Sequence, residues 1–339
     1  MISKNDNIKN SIKATIERHS SMDCRVFEVK VLGRKLNIKQ KRHLQRLFLE
    51  GKWLYNASLA NKDGVRSPKS VCIKVGDALE ARELTVLGSQ MKQDIVDSIK
   101  HSIKGLHTKK THGEKVGHLK FKSFCNMIPL RQYGTTYRIN FDKNTISIQN
   151  LKKPLKVRGL SQIPEGDIAN ARLVRKPSGI YFHITVFTDK EERPATHKKV
   201  GIDFGIKDTL VMSDGSIVDI KVPETKNVKL ASRRFSRSFI KNGRRRSNNH
   251  HKRKHRLQKA YEKQNNIKKD IVNKTVHDIL ENDFIAIQDE MIHNWHKGLF
   301  GKQVQHSAMG SIKEKLKTNS KVHVVARSFP STQICPVCG

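Results

Sequence analysis

Val200-Gly-Ile-Asp-Phe-Gly-Ile-Lys-Asp208, continuing through Thr209-Leu-Val-Met-Ser-Asp-Gly215, decides the reading of this chain. Alternation puts Val200, Ile202 and Phe204 on one face of a strand and Gly201, Asp203 and Gly205 on the other. A carboxylate in the middle of an apolar strand is costly unless a cation or a partner meets it. Glycines on its own face leave room for such an approach. The stretch therefore predicts a core strand whose Asp203 is a buried metal ligand.

Charge says what would come to that ligand. The 339 residues carry 67 Lys+Arg against 31 Asp+Glu, a formal net charge of +36. Self-repulsion on that scale disfavours a compact fold unless a polyanion neutralises it, which points to nucleic acid as the partner. No apolar run approaches the roughly 20 residues of a spanning helix, and Met1 to Met22 has no apolar core of a signal peptide. The expectation is a soluble, intracellular protein with no membrane partner and no small-molecule substrate. Five cysteines form no disulfide framework. Cys24, Cys72 and Cys125 read as ordinary thiols, and only Cys335 and Cys338 are spaced to act together.

Upstream of the deciding stretch, residues 1–22 are polar and unpatterned and read as a flexible tail. Cys24 to Leu32 alternates as a strand. Asn37 is placed to cap a helix running to about Asn61, stopped by Lys62-Asp63-Gly64. Met91, Ile95, Ile99 and Ile103 mark a second helix from about Ser89 to Leu106. Lys39, Arg42 and Arg46 on the first helix, with Lys120 and Lys122 in a basic loop that also holds Phe121, suit phosphate contacts and base stacking. Two hairpins follow, one across Asp142-Lys143-Asn144 and one turning at Lys176–Gly179. Short strands at this spacing suggest a small barrel over 23–190, with the helices inserted at about 37–122.

Downstream, 191–198 reads as a linker and 199–328 as a second domain. Leu210 to Ser213 and Ile217 to Ile220 complete a meander around the Asp214-Gly215 turn. The segment 226–274 carries two acids, Glu262 and Asp270, against Arg233, Arg234, Arg237, Arg244, Arg245, Arg246, Lys252, Arg253, Lys254, Arg256 and more. It reads as one long helix, or a helical hairpin broken at Asn242-Gly243, lying along phosphates. Phe284 to Glu290 is a strand ending in acid, Val304, Ala308, Ile312 and Leu316 mark a helix, and Val322 to Ala326 is a last strand. A three-stranded meander, then helix, strand, helix, strand is the order of a ribonuclease-H-like sheet. Phosphodiester hydrolysis on such a sheet uses divalent ions held by carboxylates from neighbouring strands, and Mg²⁺ suits hard oxygen ligands.

Three motifs in order carry a resemblance: Val200-Gly-Ile-Asp-Phe-Gly-Ile-Lys-Asp208, Ile287-Gln-Asp-Glu290, and Ser328-Phe-Pro-Ser-Thr-Gln-Ile-Cys-Pro-Val-Cys-Gly339. Together they resemble the OrfB/TnpB family of insertion-sequence proteins, RNA-guided DNA endonucleases related to type V CRISPR effectors. The resemblance implies an α/β multidomain chain: a β-barrel wedge domain with a helical recognition insertion, a RuvC-like nuclease domain, and a zinc ribbon starting at 329–339. It implies a guide RNA from the mobile element, a double-stranded DNA target and a two-metal Mg²⁺ site. By position, Asp203 matches the first catalytic aspartate, and Cys335 and Cys338 match the first Zn²⁺ pair. Many members carry Glu-Asp-Leu after the apolar run, which sets Gln288 at the glutamate position. Others resemble Gln-Asp-Glu followed by Trp295-His-Lys-Gly and Gln305-His306, and there the glutamate falls at Glu290. Positions 288 and 290 share a strand face about 7 Å apart, so Glu290 is taken as the second acid, with Asp289 facing away.

The chain ends at Gly339, with half of a four-ligand zinc site and without the family's third acid. The expectation is therefore a fragment of a longer nuclease, or else a naturally shortened homologue, inactive in cleavage as it stands. The alternatives are a nuclease-dead RNA-guided repressor, or a transposase or transposition regulator. The last lacks an obvious tyrosine nucleophile with paired metal-binding histidines, and His250-His251 reads as a solvated pair.

Overall fold

The computed structural model describes residues 4–61, 66–190, 195–239 and 247–329, and the chain divides into two compact units between Glu191 and Glu192. Among the described residues, no helix is long and apolar enough to cross a membrane. The expected turn at 62–64 and the hairpin break at 242–243 lie outside the described residues.

The first unit opens with α1 (Lys4–Ser20), where a loose tail was expected. Polar composition hid it, since Ile12 and Ile16 stay more than half exposed. Its C-terminal end is held instead by His19, which stacks on Phe187 at 3.8 Å and bonds Asp167. β1 (Asp23–Val31) leads to α2 (Ile38–Ala60), whose Asn37 and Gln40 form the two bonds of a capping box. A hairpin missed in the sequence follows, β2 (Ser70–Val75) and β3 (Ala78–Glu83). Its turn holds Gly76 at φ +61°, a conformation that glycine adopts without penalty. α3 (Ser89–Thr111) runs five residues past its expected end at Leu106.

The remaining strands of the unit are β4 (Met127–Leu130), β5 (Tyr137–Asn140), β6 (Thr145–Ile148), β7 (Leu155–Arg158), β8 (Asp167–Lys176) and β9 (Gly179–Thr188). With β1 they make a seven-stranded sheet in the order β4-β8-β9-β1-β7-β6-β5, antiparallel at every pairing. Its edge strands β4 and β5 are joined by residues 131–136, which reach roughly 20 Å at full stretch. The edges must therefore approach, and the sheet curls into a nearly closed barrel. β4 and β7 were not read from the sequence because four residues each, with Pro129 in one and Lys156 and Arg158 in the other, give no run long enough to register. Val29, Ile128, Leu155, Leu173, Phe182 and Ile184 are fully buried inside.

One carboxylate ties the helices of this unit to its hairpin. Glu50 on α2 is fully buried and accepts from Arg46 Nε at 2.8 Å, Thr85 N and Oγ1, Val86 N and Leu87 N. Burial alone would push its carboxyl up. The bonds from Arg46 and from the Leu87, Val86 and Thr85 backbone outweigh that and hold it below the usual glutamate range.

The second unit is built on a five-stranded sheet. β10 (Lys199–Phe204), β11 (Leu210–Met212) and β12 (Ile217–Val218) form an antiparallel meander. β13 (Phe284–Gln288) and β14 (Val322–Val325) extend it in parallel, giving the order β12-β11-β10-β13-β14. Between β12 and β13 run α4 (Lys226–Ser236) and α5 (Asn248–Ile279), the hairpin rather than the single helix. Thr225 and Ser247 cap their N-termini.

The expected single helix after β13 is three: α6 (Ile292–Trp295), α7 (Gly301–Ser307) and α8 (Met309–Leu316). The chain bends between the last two at Ala308, with φ 61°. Val304, Ala308, Ile312 and Leu316 still share the core with Val200, Ile202, Phe204, Val272, Val276, Ile285 and Ile287. Apolar spacing thus survived a break in the backbone that it could not register.

Candidate functional site

The helices cover one face of this sheet and leave Asp203 on the other. Val200, Ile202 and Phe204 are buried while Asp203 is exposed, which corrects the expectation of a buried charge. Its prominence in an apolar run reflects a one-sided strand. Room around it is real. A Cβ added at Gly201 would meet only Ser213, at 3.7 Å, whereas one at Gly205 would fall 2.5 Å from Asp208 O. Gly205 is thus required by the tight loop that follows β10, closed by its N–H on Thr209 O. Thr209, itself buried, bonds Ile220 N at 3.0 Å and fixes the far side of that loop.

The parallel register pairs Gly201 with Ala286 and Ile202 with Ile287. One step further sets Asp203 beside Gln288, on the same face and about 4.8 Å away between backbones. The Gln288 amide donates to Arg327 O at 2.9 Å and Phe329 O at 3.2 Å. β13 ends there, two residues short of the expected strand. Glu290 N–H turns back to Gln288 O at 2.9 Å, so strand alternation does not carry Glu290 onto the face of Asp203. Its backbone nevertheless lies within about 7 Å of Gln288 by chain length. Glu290 is half-buried.

Asp289 does point elsewhere. Its carboxylate takes Lys313 Nζ at 2.8 Å and Lys317 Nζ, and those two bonds, Lys313 first, lower its pKa to about 2. Lys313 is 4% exposed and carried no signal in the sequence beyond its place on a helix.

No three His, Cys, Asp or Glu among the described residues gather as a metal site. The donor set of Asp203 and Glu290 is of the type Mg²⁺ takes, since one or two carboxylates commonly hold it with water and phosphate oxygens completing its shell. It does not by itself fit two ions. Cys335 and Cys338, expected to hold Zn²⁺, lie outside the described residues.

The basic residues divide. Arg46 is engaged by Glu50 and lies 4.7 Å from the Trp53 ring, so it is a structural cation and not a free phosphate contact. Lys39, Arg42 and Lys120 are exposed. Lys122 is also exposed, with its backbone bonded to Asn56 and its ammonium 3.6 Å from the Tyr55 ring. Phe121 is 66% exposed. In the second unit, Arg233, Arg234, Arg237, Lys252, Arg253, Lys254 and Arg256 are all exposed, while Arg244, Arg245 and Arg246 lie outside the described residues. Arg234, Arg253 and Arg256 line a groove of about 410 Å³ between α4 and α5, with Leu230 and Asn227. His250 is not solvated as expected: it is 1% exposed, packs on Phe235 and Phe239 and bonds Ser238.

Three comparisons with known proteins bear on this arrangement. Residues 182–288 match the OrfB_IS605 family model, described as a probable transposase. A solved structure described as a complex of Cas12f1, sgRNA and target DNA aligns over 94% of this chain and 92% of that one, at 12% identity and a TM-score of 0.48. No curated protein matches. The family match agrees with the OrfB/TnpB resemblance: residues 182–288 of the chain are similar to the OrfB_IS605 family of probable transposases.

Proposed function

We propose that this chain is an RNA-guided DNA nuclease of an insertion sequence, with the second unit as its RuvC-like domain. The supporting observation is Asp203, open on the uncovered face of the sheet, at the end of β10 and one strand from the β13 terminus. A strand order of three antiparallel then two parallel is the one expected of a ribonuclease-H-like sheet. Asp203 and Glu290 would hold Mg²⁺, which supplies an activated water and charge relief at the leaving oxygen. Neither carboxylate has a hydrogen-bond or ion-pair partner among the described residues, so both are available as ligands. The α4–α5 groove and the exposed lysines of the first unit bind phosphates, while sequence is read by pairing with the guide.

The test is to purify the protein with its bound RNA, sequence that RNA, and present matched duplex DNA with Mg²⁺. Guide-dependent cutting supports the reading; guide-dependent binding with intact DNA at saturating protein refutes the nuclease half of it and leaves the cleavage-inactive product expected from the sequence. For the phosphate-binding half, a triple Arg234→Ala, Arg253→Ala, Arg256→Ala variant should lower the slope of log affinity against log salt by about 2 to 3, at 0.7–0.9 per lost contact. An unchanged slope would remove the groove from the interface.

A second reading has its own observation. The register partner of Asp203 is Gln288, an amide where a ligand would sit, which favours guide-directed binding without cleavage, as in a repressor. Gln288→Glu discriminates. If cleavage is weak or absent in the natural chain and rises at least tenfold in this variant, the repressor reading gains. A change within twofold leaves the site to Asp203 and Glu290.

A further inference from the structure

The Gln288-Asp289-Glu290 corner is clamped by a buried cation that neither the motifs nor the family match assigns. Lys313 lies on α8 beside Ile312, on a helix whose Met309, Ile312 and Leu316 pack into the core, and it is almost wholly out of water. A lysine at such a place is disfavoured unless its charge is met. Its Nζ meets two acceptors, the Asp289 carboxylate at 2.8 Å and the Glu290 carbonyl. Glu290 N–H is bonded to Gln288 O, so both backbone polar groups of Glu290 are committed. Asp289 N–H is bonded to Val325 O at 2.9 Å, which ties the same corner to the edge strand.

The result is an asymmetry with chemical meaning. Asp289 is neutralised by two lysines, while the Glu290 side chain has no hydrogen-bond or ion-pair partner among the described residues and its backbone N–H and C=O are both bonded. A free carboxylate on a locked backbone is ready to ligate, since the ordering a ligand would otherwise require is already done. We propose that Lys313 is the positioning residue for Glu290, fixing the turn that presents its carboxylate toward the divalent ion shared with Asp203. This rests on Asp203 and Glu290 being the metal ligands. Lys317 is the internal contrast: it bonds Asp289 but no atom of Glu290.

The experiment is Mn²⁺ binding, measured by calorimetry on the full chain, together with hydrogen exchange at the Glu290 amide. Lys313→Met should weaken Mn²⁺ binding 10- to 100-fold, the range for losing a group that orients a ligand, and speed exchange at Glu290. Lys317→Met should change Mn²⁺ affinity less than twofold, although both variants lose one ion pair to Asp289. Lys313→Gln, smaller and still polar, decides the matter if the methionine variant does not fold. Mn²⁺ affinity within twofold of the natural chain in a folded Lys313 variant overturns the proposal, as does failure of both variants to fold by circular dichroism, which would make Lys313 a core-stability residue. Asp203→Ala separates the two levels. If it leaves Mn²⁺ binding unchanged, the ligand assignment has failed; if it abolishes binding while Lys313→Met does not, only the positioning role has.

Discussion

Glu50→Ala should lower the stability of the first unit by about 3–5 kcal/mol, the cost of stripping one partner from a buried charged cluster. The substitution leaves the Thr85, Val86 and Leu87 N–H groups without their acceptor, at about 1–3 kcal/mol for each donor that water cannot reach. It also leaves the Arg46 guanidinium beside Trp53 without its anion. The measurement is hydrogen exchange at α2 and α3 in rising urea, which reports this unit separately from the other. Protection equal to that of the natural chain would mean the cluster is not the keystone its geometry implies. The same carboxylate gives a pH dependence. Its folded pKa lies below the unfolded value near 4.3. The stability it adds is therefore fully present above that value and is lost as pH falls through the lower folded one. The first unit should loosen as pH falls below the ordinary glutamate range.

Asp203→Ala should cut guide-directed DNA cleavage on the order of 10³-fold or more, since removing a ligand of the metal removes transition-state charge stabilisation along with the activated water. Binding of matched DNA should stay within about threefold, because the phosphate-contact residues on α4, α5 and the first unit are not altered. An exposed aspartate makes this variant informative. With no hydrogen-bond or ion-pair partner among the described residues, its removal orphans no buried group there, and a loss of cleavage is not expected to come from unfolding. Equal cleavage by Asp203→Ala and the natural chain would remove the residue from the chemistry.

The sequence carried the strands and helices whose apolar pattern repeats over several turns or alternations. α2, α3, β10 and both predicted hairpins of the barrel appear where the pattern put them. It missed elements too short for a period to register, β4 and β7, and the β2–β3 hairpin inside a segment read as helical. It merged α6, α7 and α8 because Val304, Ala308, Ile312 and Leu316 keep a four-residue spacing across the left-handed Ala308. The site was legible as residue types and not as geometry. Asp203 was identified through a false premise, burial, although alternation had already assigned its open face. Glu290 was put on that face by extending a strand that stops at Gln288. Lys313 was invisible, because a lysine on an amphipathic helix looks solvated until the turn after β13 supplies two acceptors for it. Arg46 was misassigned for the converse reason: nothing local announces that a glutamate four residues on is fully buried and takes its charge.

Mn²⁺ binding to the natural chain, Asp203→Ala and Glu290→Gln, compared in one calorimetric series without nucleic acid, bears most directly on a divalent-ion site at the end of β10 and β13. The expected result is one ion per chain, with affinity falling at least tenfold in each variant. Binding of equal strength in all three, or none in any, would contradict it.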